Sequence, residues 1–291
     1  MRSLLFVPAD GGSKLDKAVA SGADAVILDL EDSVAPERKG TARQAAADFL
    51  QAATAQKKRP RLFVRINGLD TGMINADLEA IVAAKPDAVL FPKAEGGASV
   101  VHLDAKLTAR EAIAGLPEGS IKILAQAVES AAGLFLAGTF RDASQRLIGL
   151  TWGPEDLSAE LGAESNRETD STLTEPYRLA RSLCLYGAAA ARLPAIETVY
   201  VDFRDTEGLR RDTELARRDG FVGRLAIHPA QVAPINEVFT PTHKQIETAK
   251  AVVAAFAAKP GAGAIGIGGK MYDRPHLKKA QALLDQMKSK T

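Results

Sequence analysis

The chain has 291 residues, 46% apolar and 25% charged. These are ordinary values for folded domains and exclude general disorder. Thirty-seven basic residues against thirty-six acidic ones leave +1, which excludes a general nucleic-acid or anionic-membrane surface but leaves room for a local basic patch that binds a phosphorylated ligand. The lone Cys184 excludes an internal disulfide framework and a cysteine-based zinc cluster, and it fits a reducing compartment.

The first apolar run, Leu4–Val7, is cut off by Pro8 and Asp10. It is too short for a signal-peptide core or a membrane span and reads as the first strand of a cytoplasmic protein. Similar runs recur at Ala25–Leu30, Leu62–Ile66, Ala88–Phe91, Ile121–Ala125, Leu147–Trp152, Val199–Val201 and Leu225–Ile227, making eight. Short continuous apolar runs are what parallel strands covered on both faces require. Gly40–Gln56, Ser130–Phe140 and Thr174–Ala191 are long enough for crossover helices. Such repeated units leave an open doubly wound sheet or a closed barrel, and a count of eight favours the α/β (β/α)8 TIM barrel. Gly11-Gly12 after the first run does not supply the Gly-x-Gly-x-x-Gly of a dinucleotide-binding sheet. The cluster Lys57, Lys58, Arg59 and Arg61 precedes the third run and reads as a solvated turn on the opposite rim.

The pattern changes after the eighth run, so the barrel is expected over residues 1–239 and a helical extension over 240–291. Pro241 to Lys259 reads as a helix with Thr242 as N-cap, Pro260 to Gly269 as a mobile glycine-rich loop, and a last helix begins near Pro275. Such an extension is packing, a lid, or an arm reaching a neighbouring subunit.

Active sites of these barrels form at the C-terminal ends of the strands. Those ends carry Asp29, Glu31 and Asp32 after the second strand, Arg65 after the third and Lys93 after the fourth. Glu129 follows the fifth, Glu155 and Asp156 the sixth, Asp202 the seventh and His228 the eighth. Glu129 and Asp156 follow adjacent strands; two carboxylates with waters describe a Mg²⁺ site, and they equally describe a hydrogen-bonded structural pair. Four scattered histidines offer no zinc cluster. Arg65 is either an ion-pair partner of Asp29 or Asp32 or a fork for a substrate carboxylate. Asp29, Glu31 and Asp32 cannot share one metal without strong repulsion, so some of them orient Arg65, Lys93 or bound water. His228-Pro229 reads as a turn cap as readily as a catalytic group.

Eight segments in order resemble the citrate lyase β-subunit-like enzymes of the HpcH/HpaI aldolase superfamily: Leu5-Phe-Val-Pro8, Leu28-Asp-Leu-Glu-Asp32, Val64-Arg-Ile-Asn67, Phe91-Pro-Lys93, Glu129-Ser130, Gly153-Pro-Glu-Asp-Leu157, Ile227-His-Pro-Ala-Gln231 and Gly269-Lys-Met-Tyr-Asp-Arg-Pro275. The resemblance implies Mg²⁺ on Glu129 and Asp156, with Arg65 holding the oxo-acid part of the substrate. Phe6 and Lys17 match positions that contact a coenzyme A thioester, and Glu155, Ile227 and His228 match substrate-pocket positions. The carboxylate matching Asp273 reaches a neighbouring subunit's site as acid/base in malyl-CoA lyase-like members, and the family is commonly trimeric or hexameric. Two departures stand out. Gly11-Gly12 replaces a basic residue, with Lys14 nearby, and Gly223-Arg224 stands where Gly-Lys is common.

The resemblance further implies a carbon–carbon lyase acting on a 3-hydroxy-3-carboxyacyl thioester of the citryl, malyl or citramalyl type, releasing acetyl-CoA and a 2-oxo acid. The rivals are a pyruvate aldolase acting on free hydroxy-oxo acids, a malate-synthase- or thioesterase-like variant, a citrate lyase subunit served by an acyl-carrier protein, and a non-catalytic scaffold. The long extension speaks against the aldolase, and intact Arg65, Glu129, Asp156 and Asp273 speak against the scaffold.

Overall fold

Burial of Leu4, Ala25, Ile27, Phe63, Ala88, Leu90, Leu124, Ile196 and Leu225 against one another fills the inside of a ring of strands. A computed structural model describes residues 1–54, 56 and 58–288. Its strands are β1 (Ser3–Pro8), β2 (Ala25–Asp29), β3 (Arg61–Arg65), β4 (Ala88–Phe91), β5 (Lys122–Val128), β6 (Leu147–Trp152), β7 (Ile196–Glu197) and β8 (Gly223–Ala226). All pairings are parallel, in the order β6-β5-β4-β3-β2-β1-β8-β7. A single parallel bridge, Leu150 to Ala195, joins β6 to the segment entering β7 and nearly closes the barrel.

The alternate residues of each strand face outward, onto α1 (Ser13–Val19), α2 (Lys39–Thr54), α3 (Ile74–Ile81), α4 (Gly96–Ile113), α5 (Ala131–Leu136), α6 (Pro154–Leu161), α7 (Glu175–Ala190), α8 (Thr206–Asp219) and α9 (Val232–Phe239). Burial on both faces is why the strands read as continuous apolar runs. No described helix is long and apolar enough to cross a membrane.

Seven of the eight strands lie on the expected runs; the seventh does not. Val199–Val201 is not strand, and β7 is the two-residue Ile196–Glu197. Glu197 interrupts the apolar pattern, yet it is buried, because its carboxylate accepts hydrogen bonds from Trp152 Nε1 at 2.6 Å and Arg181 Nε at 2.6 Å. Buried charge satisfied in this way is invisible to a hydrophobic pattern. In the predicted rim cluster, Arg59 pairs with Asp87 at 2.5 Å, and Lys57 lies outside the described residues.

The chain divides into two compact units, Met1–Phe239 and Thr240–Thr291. Thr242 caps α10 (His243–Ala257) in a reciprocal capping box with Gln245. The expected glycine-rich loop is instead largely a hairpin of β9 (Ala264–Ile267) and β10 (Lys270–Asp273), leading into α11 (Arg274–Lys288). Gly268 and Gly269 form its two-residue turn at φ 53° and 76°, a conformation open to glycine at both positions. Ile265 anchors the hairpin by packing with Ala249, Val252, Phe256 and Ala280.

Candidate active site

The C-terminal ends of the strands surround a cavity of about 370 Å³ lined by Phe6, Asp29, Arg65, Gln126, Glu129 and Asp156, among others. On its β2–β3 flank, Arg65 donates from Nε to Asp29 Oδ1 at 2.7 Å and from Nη2 to Asp29 Oδ2 at 2.6 Å. Glu31 Oε2 lies 2.9 Å from Nη1, whereas Asp32 stands 4.0 Å away and is largely exposed. Burial works against the guanidinium's charge, but Asp29, Glu31 and Asp32 outweigh it and hold the pKa above its ordinary value. The same pairing holds Asp29 below the usual carboxylate range despite burial. A guanidinium has five N–H donors, so one hydrogen on each terminal nitrogen is left for a ligand. Arg65 is thus the ion-pair partner of Asp29 that the sequence allowed, and it keeps two N–H groups beyond its pairs with Asp29 and Glu31. The Phe6 ring lies 4.9 Å beneath it.

A buried polar cluster stands behind this flank. Lys39 Nζ donates to the carbonyls of Leu30 and Glu31 at 2.7 and 2.8 Å and to Asn67 Oδ1 at 2.9 Å. Asn67 in turn donates to Asp77. Lys39 fixes the carbonyls of the 30–31 segment, which carries Glu31. Sequence reasoning did not single it out, since a lysine opening a helix carries no signal of burial.

The β5–β6 flank is built differently. Glu129 is buried; its Oε2 accepts the Lys93 backbone N–H at 2.8 Å and its Oε1 accepts the Gln126 amide. Among the described residues no cation pairs with it directly. Burial, opposed by the Lys93 hydrogen bond and reinforced by Asp156 and Glu31, pushes its carboxyl up to about 8. Asp156 sits in the first turn of α6 behind Pro154, where the helix dipole favours a carboxylate. Lys93 spans the flanks: its Nζ lies 2.8 Å from Glu31 Oε1 and 3.3 Å from Asp156 Oδ1. Its backbone is left-handed at φ 48°, a conformation uncommon for a non-glycine residue. Gly153 is required beside them, because a Cβ there would collide with the Glu129 carboxylate.

Two further positions were missed in the sequence. Gln126 lies in β5 one residue past the expected strand end, and its Oε1 is buried without a partner. A polar residue two positions after inward-facing Leu124 was the available signal. Gly153 carried none apart from its place in a motif.

Of the remaining predicted residues, Glu155 lines the same cavity and accepts from Asn166 at 3.0 Å. Lys17 lies apart, in a neighbouring hollow with Lys14 and His228, and Phe6 and Ile227 border both hollows. His228 is a turn cap, its Nδ1 accepting the Ala230 N–H at 3.2 Å. Asp202 lines neither hollow. Arg224 is fully buried and bonded to Thr198, Thr213 and Asp212, so it is a framework residue. Asp273, in the second unit, ends β10, and its Oδ1 lies 2.5 Å from His276 Nδ1. That contact holds its carboxyl below the ordinary range.

A parallel eight-stranded barrel whose cavity at the C-terminal strand ends gathers charged side chains places the protein among the barrel enzymes. The chain belongs to the HpcH/HpaI aldolase/citrate lyase family, whose model matches residues 2–229. It is 35% identical over 285 residues to the citrate lyase subunit beta of Leuconostoc mesenteroides subsp. cremoris, covering 97% of this chain and 92% of that one. It is 37% identical over 290 residues to a (3S)-malyl-CoA thioesterase of Cereibacter sphaeroides strain KD131, with 97% and 93% covered. Among solved structures, CitE of Mycobacterium tuberculosis in complex with magnesium, acetoacetate and coenzyme A matches with a TM-score of 0.77 and 34% identity over 98% of this chain and 97% of that one.

Proposed function

We propose that the protein is a Mg²⁺-dependent carbon–carbon lyase that cleaves or forms a 3-hydroxy-3-carboxyacyl-CoA thioester, the products of cleavage being acetyl-CoA and a 2-oxo acid. The observation that carries this reading is Glu129, a buried carboxylate with only neutral donors beside Asp156, at the mouth that also holds the open Arg65 fork.

The donor set fits Mg²⁺, which accepts one or two carboxylates and keeps several waters. Among the described residues no group of three or more His, Cys, Asp or Glu side chains forms a fuller ligand cluster. The orphan Gln126 Oε1 and the space kept by Gly153 leave room for a hydrated ion rather than a closed cage. When bound there, Mg²⁺ supplies a Lewis acid that lowers the pKa of the substrate hydroxyl and polarises the emerging keto oxygen.

The protein's own groups do the rest. Arg65 grips the substrate carboxylate with the N–H groups left after Asp29 and Glu31, and stabilises charge that grows on those oxygens. Lys93 bridges Glu31 and Asp156 and screens their mutual repulsion, while its backbone N–H orients Glu129. As the carbon–carbon bond breaks, the 3-hydroxyl gives up its proton, by way of water, to the ionised Asp273 carboxylate, and Asp273 delivers it to the thioester α-carbon; the condensation direction reverses both transfers. The extension over 240–291 acts as a lid that brings Asp273 to the barrel mouth of a neighbouring copy in a cytoplasmic homotrimer or hexamer. The thioesterase relative favours one second reading, in which the same site also hydrolyses the thioester.

Incubating the protein and Mg²⁺ with malyl-, citramalyl- and citryl-CoA, and identifying the oxo acid released, tests the reaction and its substrate. Release of none refutes it. Co-expression of Asp273→Ala with Glu129→Gln tests the lid. Each variant alone is expected to lose roughly 10²–10⁴-fold in rate, and mixed oligomers regain activity only if Asp273 serves a neighbour's Glu129.

A further inference from the structure

Of the groups assigned to the reaction, Asp273 alone lies in the second unit, and it has a close companion there. His276 follows it by three residues, in the first turn of α11, and the ring Nδ1 lies 2.5 Å from Asp273 Oδ1. The backbone draws the pair together, since the His276 N–H donates to the same Oδ1 at 3.4 Å. Tyr272 meets the ring edge-on, with centroids 5.5 Å apart at 78°, and limits its rotation. The hollow that the ring lines holds Lys244 and Lys279 but no carboxylate. Among the described residues, the ring's acidic partner is therefore Asp273 alone.

The direction of this hydrogen bond follows from its length and charge. Asp273 is held below the ordinary carboxylate range, first of all by His276, so its oxygens only accept. A ring nitrogen this close to a carboxylate oxygen carries a hydrogen, because two bare lone pairs repel at that distance. The Asp273 backbone N–H also points at Nδ1, from 3.3 Å, and is the longer and weaker contact. Oδ1 thus receives two hydrogens, and Oδ2 receives none among the described residues. The side chains of His276 and Asp273 are 50% and 41% exposed. An ion pair so open to water adds little to stability, so holding the fold does not account for it. What the pair does is occupy one carboxylate oxygen and leave the other open.

We infer that His276 is a positioning residue for the carbon–carbon cleavage: it holds Asp273 by Oδ1 and so reserves Oδ2 as the oxygen that takes the proton of the 3-hydroxyl and returns it to the α-carbon. This rests on the lyase reading above. The ring touches neither substrate nor Mg²⁺ and acts through Asp273. It is the Asp–His half of a Ser-His-Asp triad with the roles exchanged, the imidazole orienting the carboxylate. A carboxylate free to rotate would spend part of its time with neither oxygen aligned for the transfer.

Nitrogen NMR of the full-length, histidine-labelled protein without substrate tests the pair itself. The His276 ring signals, identified by their loss in His276→Asn, should show a hydrogen on Nδ1, and Asp273→Asn should shift them. An Nδ1 without hydrogen overturns the inference. Rates of cleavage of malyl-, citramalyl- and citryl-CoA test the role. His276→Leu is expected to lower kcat roughly tenfold with KM unchanged. His276→Asn, whose side-chain N–H takes the place of Nδ1–H, should recover most of that loss. In an Asp273→Ala background His276→Leu should cost nothing further, since a residue that acts through Asp273 has nothing left to act on. A kcat untouched by His276→Leu, a loss that Asn does not recover, or a loss that adds in full to that of Asp273→Ala overturns the inference. A wild type that cleaves none of the three thioesters sinks the lyase reading, and the NMR result then decides the Asp273–His276 pair by itself.

Discussion

The two flanks of the barrel mouth follow opposite electrostatic plans. On the β2–β3 side, Arg65 is gripped by Asp29 and Glu31, and a buried lysine with Asn67 and Asp77 braces the segment from behind. On the β5–β6 side, Glu129 is buried with only a backbone N–H and an amide for company. The first flank is complete before any ligand arrives and keeps donors to spare. The second holds a carboxyl whose ionisation burial opposes, and a cation would favour the ionised form. An anion clamp and a cation seat thus share one cavity, with Lys93 as the strut between them.

Several experiments would break this contrast or sharpen it. Glu129→Gln removes the charged seat while keeping its shape, and is expected to lower kcat/KM on the order of 10³-fold with loss of the Mg²⁺ response. Retained Mg²⁺ dependence would move the cation elsewhere. Arg65→Lys keeps charge but gives up the two-pronged fork, and a loss of about 100-fold is expected, mostly in KM for the oxo acid in the condensation direction. Gly153→Ala tests the cradle: the added methyl meets the Glu129 carboxylate, and a cost of about 1–3 kcal/mol in stability is expected together with weaker Mg²⁺ binding.

The smallest effect is a pH dependence. Folded Glu129 titrates near 8, against an unperturbed value of 4.5. The folded state therefore holds a proton that the unfolded chain releases, so stability without metal should fall as pH rises from about 4.5 to 8, then level off. Melting curves in chelator should show that slope, and Mg²⁺ should flatten it. An unchanged slope in Glu129→Gln would assign it to another group.

Much of this was legible in the sequence because parallel strands covered on both faces cannot hide. Seven apolar runs fell on strands, and Arg65, Glu129 and Asp156 followed them by position. The misses share a cause. Glu197 in β7 and Lys39 at the start of α2 are polar groups whose burial is made tolerable by partners distant in the chain, and Gln126 in β5 is buried against Glu129, three residues on, with its Oε1 left open. A local pattern records polarity but not the partner. The hairpin at 264–273 was obscured in another way. Its first strand alternates isoleucine with small residues, and glycine content outweighed the two-residue period of Ile265 and Ile267.

The two-residue β7 makes the barrel a ring with one thin joint. Strand rings open first where the fewest backbone hydrogen bonds must break, and here that is the Leu150–Ala195 bridge. β6, on one side of this joint, leads into Gly153 and Asp156; Arg65, on β3, lies across the ring from it in strand order. Opening of the joint would therefore displace Gly153 and Asp156 before it reached Arg65, so a substitution that weakens the bridge should disturb the cation seat more than the anion clamp.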